Sequence, residues 1–225
     1  MGKLISNSQY IYRESKFNVS TLTESTGGEQ CILAKSCDIG GVAREVKPQV
    51  TVLGAVKTLI GRDALAVIVS SDNPVDNLTL EQVRDIFTGQ VTNWNAVGGP
   101  DQPIKAYIVK PNSATYGVFR QAVLGDEDYN GVNVIPFDAK MVSQVGNENG
   151  AIGQISASFL GNLKSIKAVT IDGQAPSTVK GAYPITRPLY LVTPGEPAGA
   201  VKDYIDWLLG PEGQKTISRL FATIG

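Results

Sequence analysis

The sequence predicts an α/β fold, and two observations carry that reading. Short apolar, β-branched runs alternate along most of the chain with segments whose apolar residues recur every three to four positions. Clusters of Gly, Pro, Ser and Asn stand where each run ends. At 225 residues the chain is long enough to bury roughly 70–75% of its unfolded surface, so its core needs no staples.

Taken in order, the N-terminal third is the least regular part. Lys3–Ile5 is expected as a strand, Gln9–Glu14 as a short helix, Phe17–Leu22 as a strand, Glu29–Ala34 as a helix and Asp38–Ala43 as a short strand. Leu65–Val69 is a short apolar run closed by Ser-Ser-Asp-Asn-Pro, which marks a buried strand. A helix follows. Thr79 and Gln82 have capping-box spacing, Leu80, Val83, Ile86 and Phe87 share one face, and Gly89 is the stop. Ile104–Val109 reads as a strand, and Ser113 as the N-cap of a helix with Val118, Phe119, Ala122 and Val123 inward and Gly125 as its end. Met141, Val142 and Val145 mark a short helix, Ala151–Ile155 a strand and Ser156–Leu160 a helical turn. Asp172-Gly173 reads as a hairpin turn after Ala168–Ile171. Leu189–Thr193 is a strand between two prolines. Ala198–Leu209 is a helix, and the last helix opens at Pro211, with Ile217, Leu220 and Phe221 inward.

Composition excludes several chemistries. The chain has no histidine, which removes Ser-His-Asp and Cys-His nucleophile systems, histidine-ligated zinc and a histidine general base. Two cysteines are too few for a Cys₄ metal centre. Neither an EF-hand spacing nor a P-loop occurs. No two carboxylates stand in clearly different surroundings, as acid–base catalysis needs. Asp126, Glu127 and Asp128 read as a solvated turn. The reading is therefore of a protein that is not an enzyme and calls for no cofactor and no metal. With 20 Lys and Arg against 21 Asp and Glu, and no basic block, no nucleic-acid surface is signalled. The longest apolar run, about Ala64–Val69, is far short of the ~20 residues that span a bilayer, so direct membrane insertion is not expected. Met1-Gly2-Lys3-Leu4-Ile5-Ser6 formally fits a myristoylation pattern, but a start codon placed before a mature domain is the preferred reading. Cys31 and Cys37 read equally as a disulfide, which requires the helix to end near Lys35, or as two buried thiols.

Three hydroxyl- or glycine-rich loops adjoin helix starts: Ser6-Asn7-Ser8, Ser25-Thr26-Gly27-Gly28, and Asn112-Ser113-Ala114-Thr115. The first N–H groups of a helix lack internal partners, and the dipole there favours an anion. Such loops can therefore build an oxyanion cage if the fold gathers them; each alone is also an ordinary cap. Arg44, following Asp38-Ile39-Gly40-Gly41-Val42-Ala43, is a candidate cationic contact, with an ion pair as the equal alternative. Trp94 reads as a packing residue before a ligand platform.

Longer motifs carry a family resemblance. Leu78-Thr79-Leu80 through Asp85-Ile86-Phe87-Thr88-Gly89, Thr92-Asn93-Trp94 and Val97-Gly98-Gly99 resemble the signature of phosphate-type ABC-transporter substrate-binding proteins. Ser113-Ala114-Thr115-Tyr116 resembles their Ser-Gly-Thr anion loop. Met141-Val142 with Gly150-Ala151-Ile152-Gly153, Tyr183-Pro184-Ile185-Thr186-Arg187-Pro188-Leu189-Tyr190, and Tyr204-Ile205-Asp206-Trp207 with Pro211-Glu212-Gly213-Gln214-Lys215 follow in the family's order. The resemblance implies a two-lobed type II periplasmic-binding-protein fold with two interlobe crossings. Lobe 1 would be about 1–70 plus 187–225, and lobe 2 about 71–186. It implies a phosphate or similar small oxyanion held between the lobes by Ser6, Asn7, Ser8, Ser25, Thr26, Gly27, Arg44, Ser113, Ala114 and Thr115. An ABC-transporter permease or a membrane sensor would be the partner, in the periplasm or outside the cell. The family's arginine, four residues before the loop serine, is replaced by Val109, Lys110 would face the other way, and the loop glycine is Ala114. The alternative is accordingly a family member with an altered pocket, acting as an extracellular sensor, adhesion or partner-binding domain.

Overall fold

The structure is a computed structural model that describes residues 12–13, 15–20, 24–161, 163–178 and 183–224. Its chain divides into two compact units. Unit 1 is Met1–Asp63 with Arg187–Gly225, and unit 2 is Ala64–Thr186.

Unit 1 is built on α1 (Ser25–Leu33), β1 (Gly40–Val42) and α2 (Pro48–Val52). To these it adds the first half of β2 (Val56–Ser70) and three C-terminal elements. α1 lies hard against β1 because both are glycine at the contact. A Cβ on Gly28 would stand 2.7 Å from the Gly41 carbonyl oxygen, and one on Gly40 only 2.3 Å from that of Gly28. Ile32, Val42, Val46, Val50 and Val192 form the small core beneath. Cys31 and Cys37 are joined in a disulfide that ties the last turn of α1 to the approach to β1. This is possible because the helix ends at Leu33 and Lys35 takes a left-handed conformation (φ 51°) that turns the chain back.

The sequence expectations for residues 3–5 and most of 9–14 lie outside the described residues, as do Ser6, Asn7 and Ser8. The strand expected at Phe17–Leu22 is not formed over the described residues 17–20. Phe17 is instead one of an aromatic group, 4.9 Å from Tyr204 and 6.2 Å from Tyr12, with Tyr12 also 5.2 Å from Trp207. Phe17 serves an aromatic cluster rather than a ladder of backbone hydrogen bonds.

Unit 2 contains the second half of β2, β3 (Asn77–Leu78), α3 (Leu80–Phe87), β4 (Lys105–Val109), α4 (Ala114–Phe119), β5 (Asn133–Ile135), α5 (Asp138–Asn147), β6 (Ala151–Ser156), β7 (Ile166–Ala168) and β8 (Thr170–Ile171). Here β2 pairs antiparallel with β6, Leu65 opposite Ser156 and Val69 opposite Ile152. β4 runs parallel to β6 on one side and β5 on the other. Side chains alternate faces along β2. Leu65, Val67 and Val69 join the core that holds α3 and Phe119, whereas Ala66 and Ile68 join the core that holds Met141 and Val145 of α5. The capping box of α3 forms as spaced, Gln82 N–H to Thr79 Oγ1 at 3.0 Å and Thr79 N–H to Gln82 Oε1 at 2.8 Å. After α4 the helix continues as a wider π turn, Arg120–Leu124, and stops at Gly125. Asp172 (φ 50°) and Gly173 (φ 76°) make the expected tight turn, closed by Ile171 and Gln174.

The chain returns to unit 1 in β9 (Thr186–Thr193), which pairs with β1, and ends in α6 (Gly199–Leu209) and α7 (Pro211–Ile217). Among the described residues, no helix is long and apolar enough to cross a membrane.

Candidate functional site

In unit 1 the structure brings Ser25 and Arg44 together at one end of α1. Ser25 is the first residue of the helix, and its Oγ accepts the Ala43 N–H at 3.0 Å, stitching the helix start to the loop after β1. Thr26 and Gly27 complete the first turn, half-buried beside it. Arg44 turns onto α1. Its two guanidinium NH groups each donate to a Glu29 carboxylate oxygen at 2.7 Å, and a third bond goes to the Glu45 carbonyl. Glu29 is almost wholly buried and also accepts the Lys47 N–H at 2.9 Å. Burial works to raise its pKa. The Arg44 bond and the Lys47 N–H outweigh that, so the carboxyl is held below its ordinary value and stays ionised. The guanidinium is thus committed to a fork-to-fork pair within its own unit.

In unit 2, Ser113, Ala114 and Thr115 open α4, all three buried. Ser113 is the expected N-cap: its Oγ accepts the Thr115 N–H at 3.2 Å, which leaves the hydroxyl proton of Ser113 for another acceptor. Thr115 Oγ1 donates to Asp138 Oδ2 at 3.1 Å, so the first residue of α5 reaches across to the first turn of α4. Val109, where the resemblance places an arginine, is fully buried in the core against α5, and Lys110 is half-buried beside the helix start. Trp94 is fully buried, with its indole N–H on the Gly150 carbonyl at 3.0 Å; it is a packing residue.

Sequence reasoning missed Glu29 and Asp138. Each is an ordinary helical acid by local pattern, and each matters through a partner 15 or 23 residues away. Two concavities, one in each unit, lie away from these helix starts. A groove of about 440 Å³ along α5 is lined by Ser143, Gln144, Asn147 and Glu148. Hydrogen bonds from Lys105 and Tyr107 hold Glu148 ionised, with its pKa at about 2, and the Lys105 ammonium pairs with it at 2.6 Å. A smaller hollow of about 120 Å³ lies between Asp38 and the 193–201 segment.

A family model of the PBP superfamily domain matches residues 3–212. The chain belongs to that superfamily. Relatives agree with the assignment. The phosphate-binding protein PstS of Bacillus subtilis is 31% identical over 157 residues, 68% of this chain and 52% of its own. Protein SphX of Synechococcus elongatus is 26% identical over 232 residues, 92% of this chain and 69% of its own. The chain thus spans about half the length of the PstS relative. Among solved structures, one from Clostridium perfringens, assigned as a phosphate ABC transporter substrate-binding protein and holding phosphate, has a TM-score of 0.90 at 26% identity, covering 100% of this chain and 96% of that one. An ABC-type phosphate transport receptor from Vibrio cholerae has a TM-score of 0.78 at 26% identity, covering 99% and 94%. The PBP superfamily fold accounts for the order of elements, including the return of the chain to unit 1 through β9.

Proposed function

We propose that this chain binds phosphate or a related small oxyanion and delivers it to an ABC transporter or reports it to a sensor. The observation that carries the reading is the end-to-end match to the phosphate-holding Clostridium perfringens structure. Two helix starts, Ser25-Thr26-Gly27 and Ser113-Ala114-Thr115, supply the donors in this reading, together with Ser6-Asn7-Ser8. Arg44 supports α1 through Glu29 rather than touching the ion. The disulfide supports work in the periplasm or outside the cell, since such bonds persist in oxidising compartments. Phosphate has five heavy atoms, and at ~1.5 kcal/mol per atom an affinity near −7.5 kcal/mol, or micromolar, is attainable.

Calorimetric and thermal-shift titrations with phosphate, sulfate and molybdate test this. Micromolar binding of at least one ion is expected, weakened about tenfold by Ser113→Ala through loss of one donor. A flat response at millimolar ion overturns it. The second reading, a pocket-altered family member that binds a partner instead, then stands. It is favoured by the burial of Val109 and the commitment of Arg44 to Glu29.

A further inference from the structure

We propose that the buried Asp63–Arg187 pair is a clip that makes the two chain crossings between the units act as one joint. The chain leaves unit 1 after Asp63 and re-enters it at Arg187, so these two residues, 124 apart in sequence, stand at the two exits of their unit. Arg187 Nε donates to Asp63 Oδ2 at 3.0 Å, and Nη2 stands 2.9 Å from the same oxygen, with both side chains buried. One residue before Asp63, the Arg62 and Ala222 backbones exchange two hydrogen bonds of 2.9 Å. On the unit 2 side of the same crossings, the Leu65 N–H donates to the Ile185 carbonyl at 2.9 Å, and the buried Tyr183 hydroxyl donates to the Leu65 carbonyl at 3.0 Å. The register of β2 with β6 also begins at Leu65. Fastened so closely on either side, the chain keeps its freedom only in the bonds between Asp63 and Leu65 and between Ile185 and Arg187. A single crossing swivels about its own backbone bonds, whereas two crossings tied side by side turn together about one axis. The chemistry of the pair suits that role better than a role in stability. Taking two charges out of water costs about as much as their attraction returns, so a buried pair adds little over apolar side chains that fill the same space. What it adds is direction, because the guanidinium N–H groups point along fixed lines.

The test compares the full chain with two variants. Asp63→Val with Arg187→Met fills the space of the pair with apolar side chains; Arg187→Lys keeps the charge and loses the planar fork. Denaturant unfolding, amide exchange and small-angle scattering are read on each. The double variant is expected to unfold at the parent's midpoint. Exchange at the Arg62 and Leu65 amides is expected to rise about tenfold, while Ala34 in unit 1 and Val169 in unit 2, each bonded to a backbone carbonyl away from the crossings, hold the parent's rate. Its scattering is expected to show a larger maximum dimension, because a freer joint samples more extended arrangements. Parent-like exchange at Arg62 and Leu65, or parent-like scattering, overturns the proposal. A rise shared equally by Ala34 and Val169 overturns it too, since the pair would then be holding the cores and not the joint. If the double variant unfolds early, Arg187→Lys carries the comparison by the same two readouts. None of these measurements needs a bound ion, so a failure to bind phosphate removes the reading above and leaves the clip standing.

Discussion

The start of α1 and the start of α4 carry similar residues, Ser-Thr-Gly-Gly and Ser-Ala-Thr, but are secured by different means. At α1 the fastening is non-local and strong: a glycine-on-glycine contact, a serine bonded to the loop after β1, a buried Arg44–Glu29 fork and a disulfide at the far end. At α4 it is lighter: a local serine cap, a bond from the Tyr129 hydroxyl to the Tyr116 carbonyl, and a bond from Thr115 that runs to a carboxylate. The difference teaches where charge goes in the two units. In unit 1 the cation near the loop is neutralised by an acid in the same core. In unit 2 an acid is brought to the loop and the expected cation is a valine. Similar sequence at a helix start therefore says little about the field an anion would meet there, because that field is set by partners far along the chain.

The largest expected effect breaks the strong end of this comparison. Glu29→Ala leaves the Arg44 guanidinium half-sheltered without its acid, and removing one partner of a buried pair costs about 3 kcal/mol, at the low end because Arg44 retains some exposure. Denaturant unfolding measures it. The same pair has a pH signature. The Glu29 pKa lies below its ordinary value of 4.5, so its contribution is fully present above that pH and is lost as pH falls through the lower folded-state value. The stability advantage of the parent over Glu29→Gln is thus expected to be constant at neutral pH and to shrink below about pH 4.5. An advantage that instead grew on acidification would contradict the assigned pair.

A smaller effect is expected from the disulfide. The bond closes a short loop, with a sequence separation of 6, and the chain-entropy relation then gives about 2 kcal/mol. Reduction by a dithiol, or Cys31→Ala with Cys37→Ala, should lower unit 1 stability by that amount. Hydrogen exchange should show the loss concentrated in α1 and β1, with α4 untouched. Equal loss in both helices would mean the two starts are not independently secured.

How much of this was legible in the sequence follows the same division. The strands Leu65–Val69 and Ile104–Val109 and the capping box at Thr79 were readable, because their causes are local: an apolar run, a cap, a three-residue spacing. The first half of β2 was not. Lys57, Arg62 and Asp63 interrupt its apolar pattern, and Asp63 is tolerated in the interior only because Arg187, 124 residues later, donates to it at 3.0 Å. β5 and β8 are too short to stand out from loops. Of the site, the Ser113 cap was legible for the same reason as Thr79. The acceptor for Thr115, the acid that holds Arg44 and the backbone N–H on Ser25 were not, since each is a tertiary contact with no local pattern.

The smallest effect sharpens the light end of the comparison. Ser113→Ala removes the one side chain that caps α4, and loss of a serine N-cap costs about 1 kcal/mol. The helix start should fray without dragging the fold with it, because Phe119 and Val123 anchor the helix body in a core that the cap does not touch. The expected result is a small loss of global stability and a larger rise in amide exchange at 113–116. The Thr115–Asp138 bond lies in the turn that loosens, so exchange at the first turn of α5 should rise with it. If the start of α5 stays fully protected, the bond between the two helix starts is not holding them together, and the contrast with the firmly tied α1 becomes greater still.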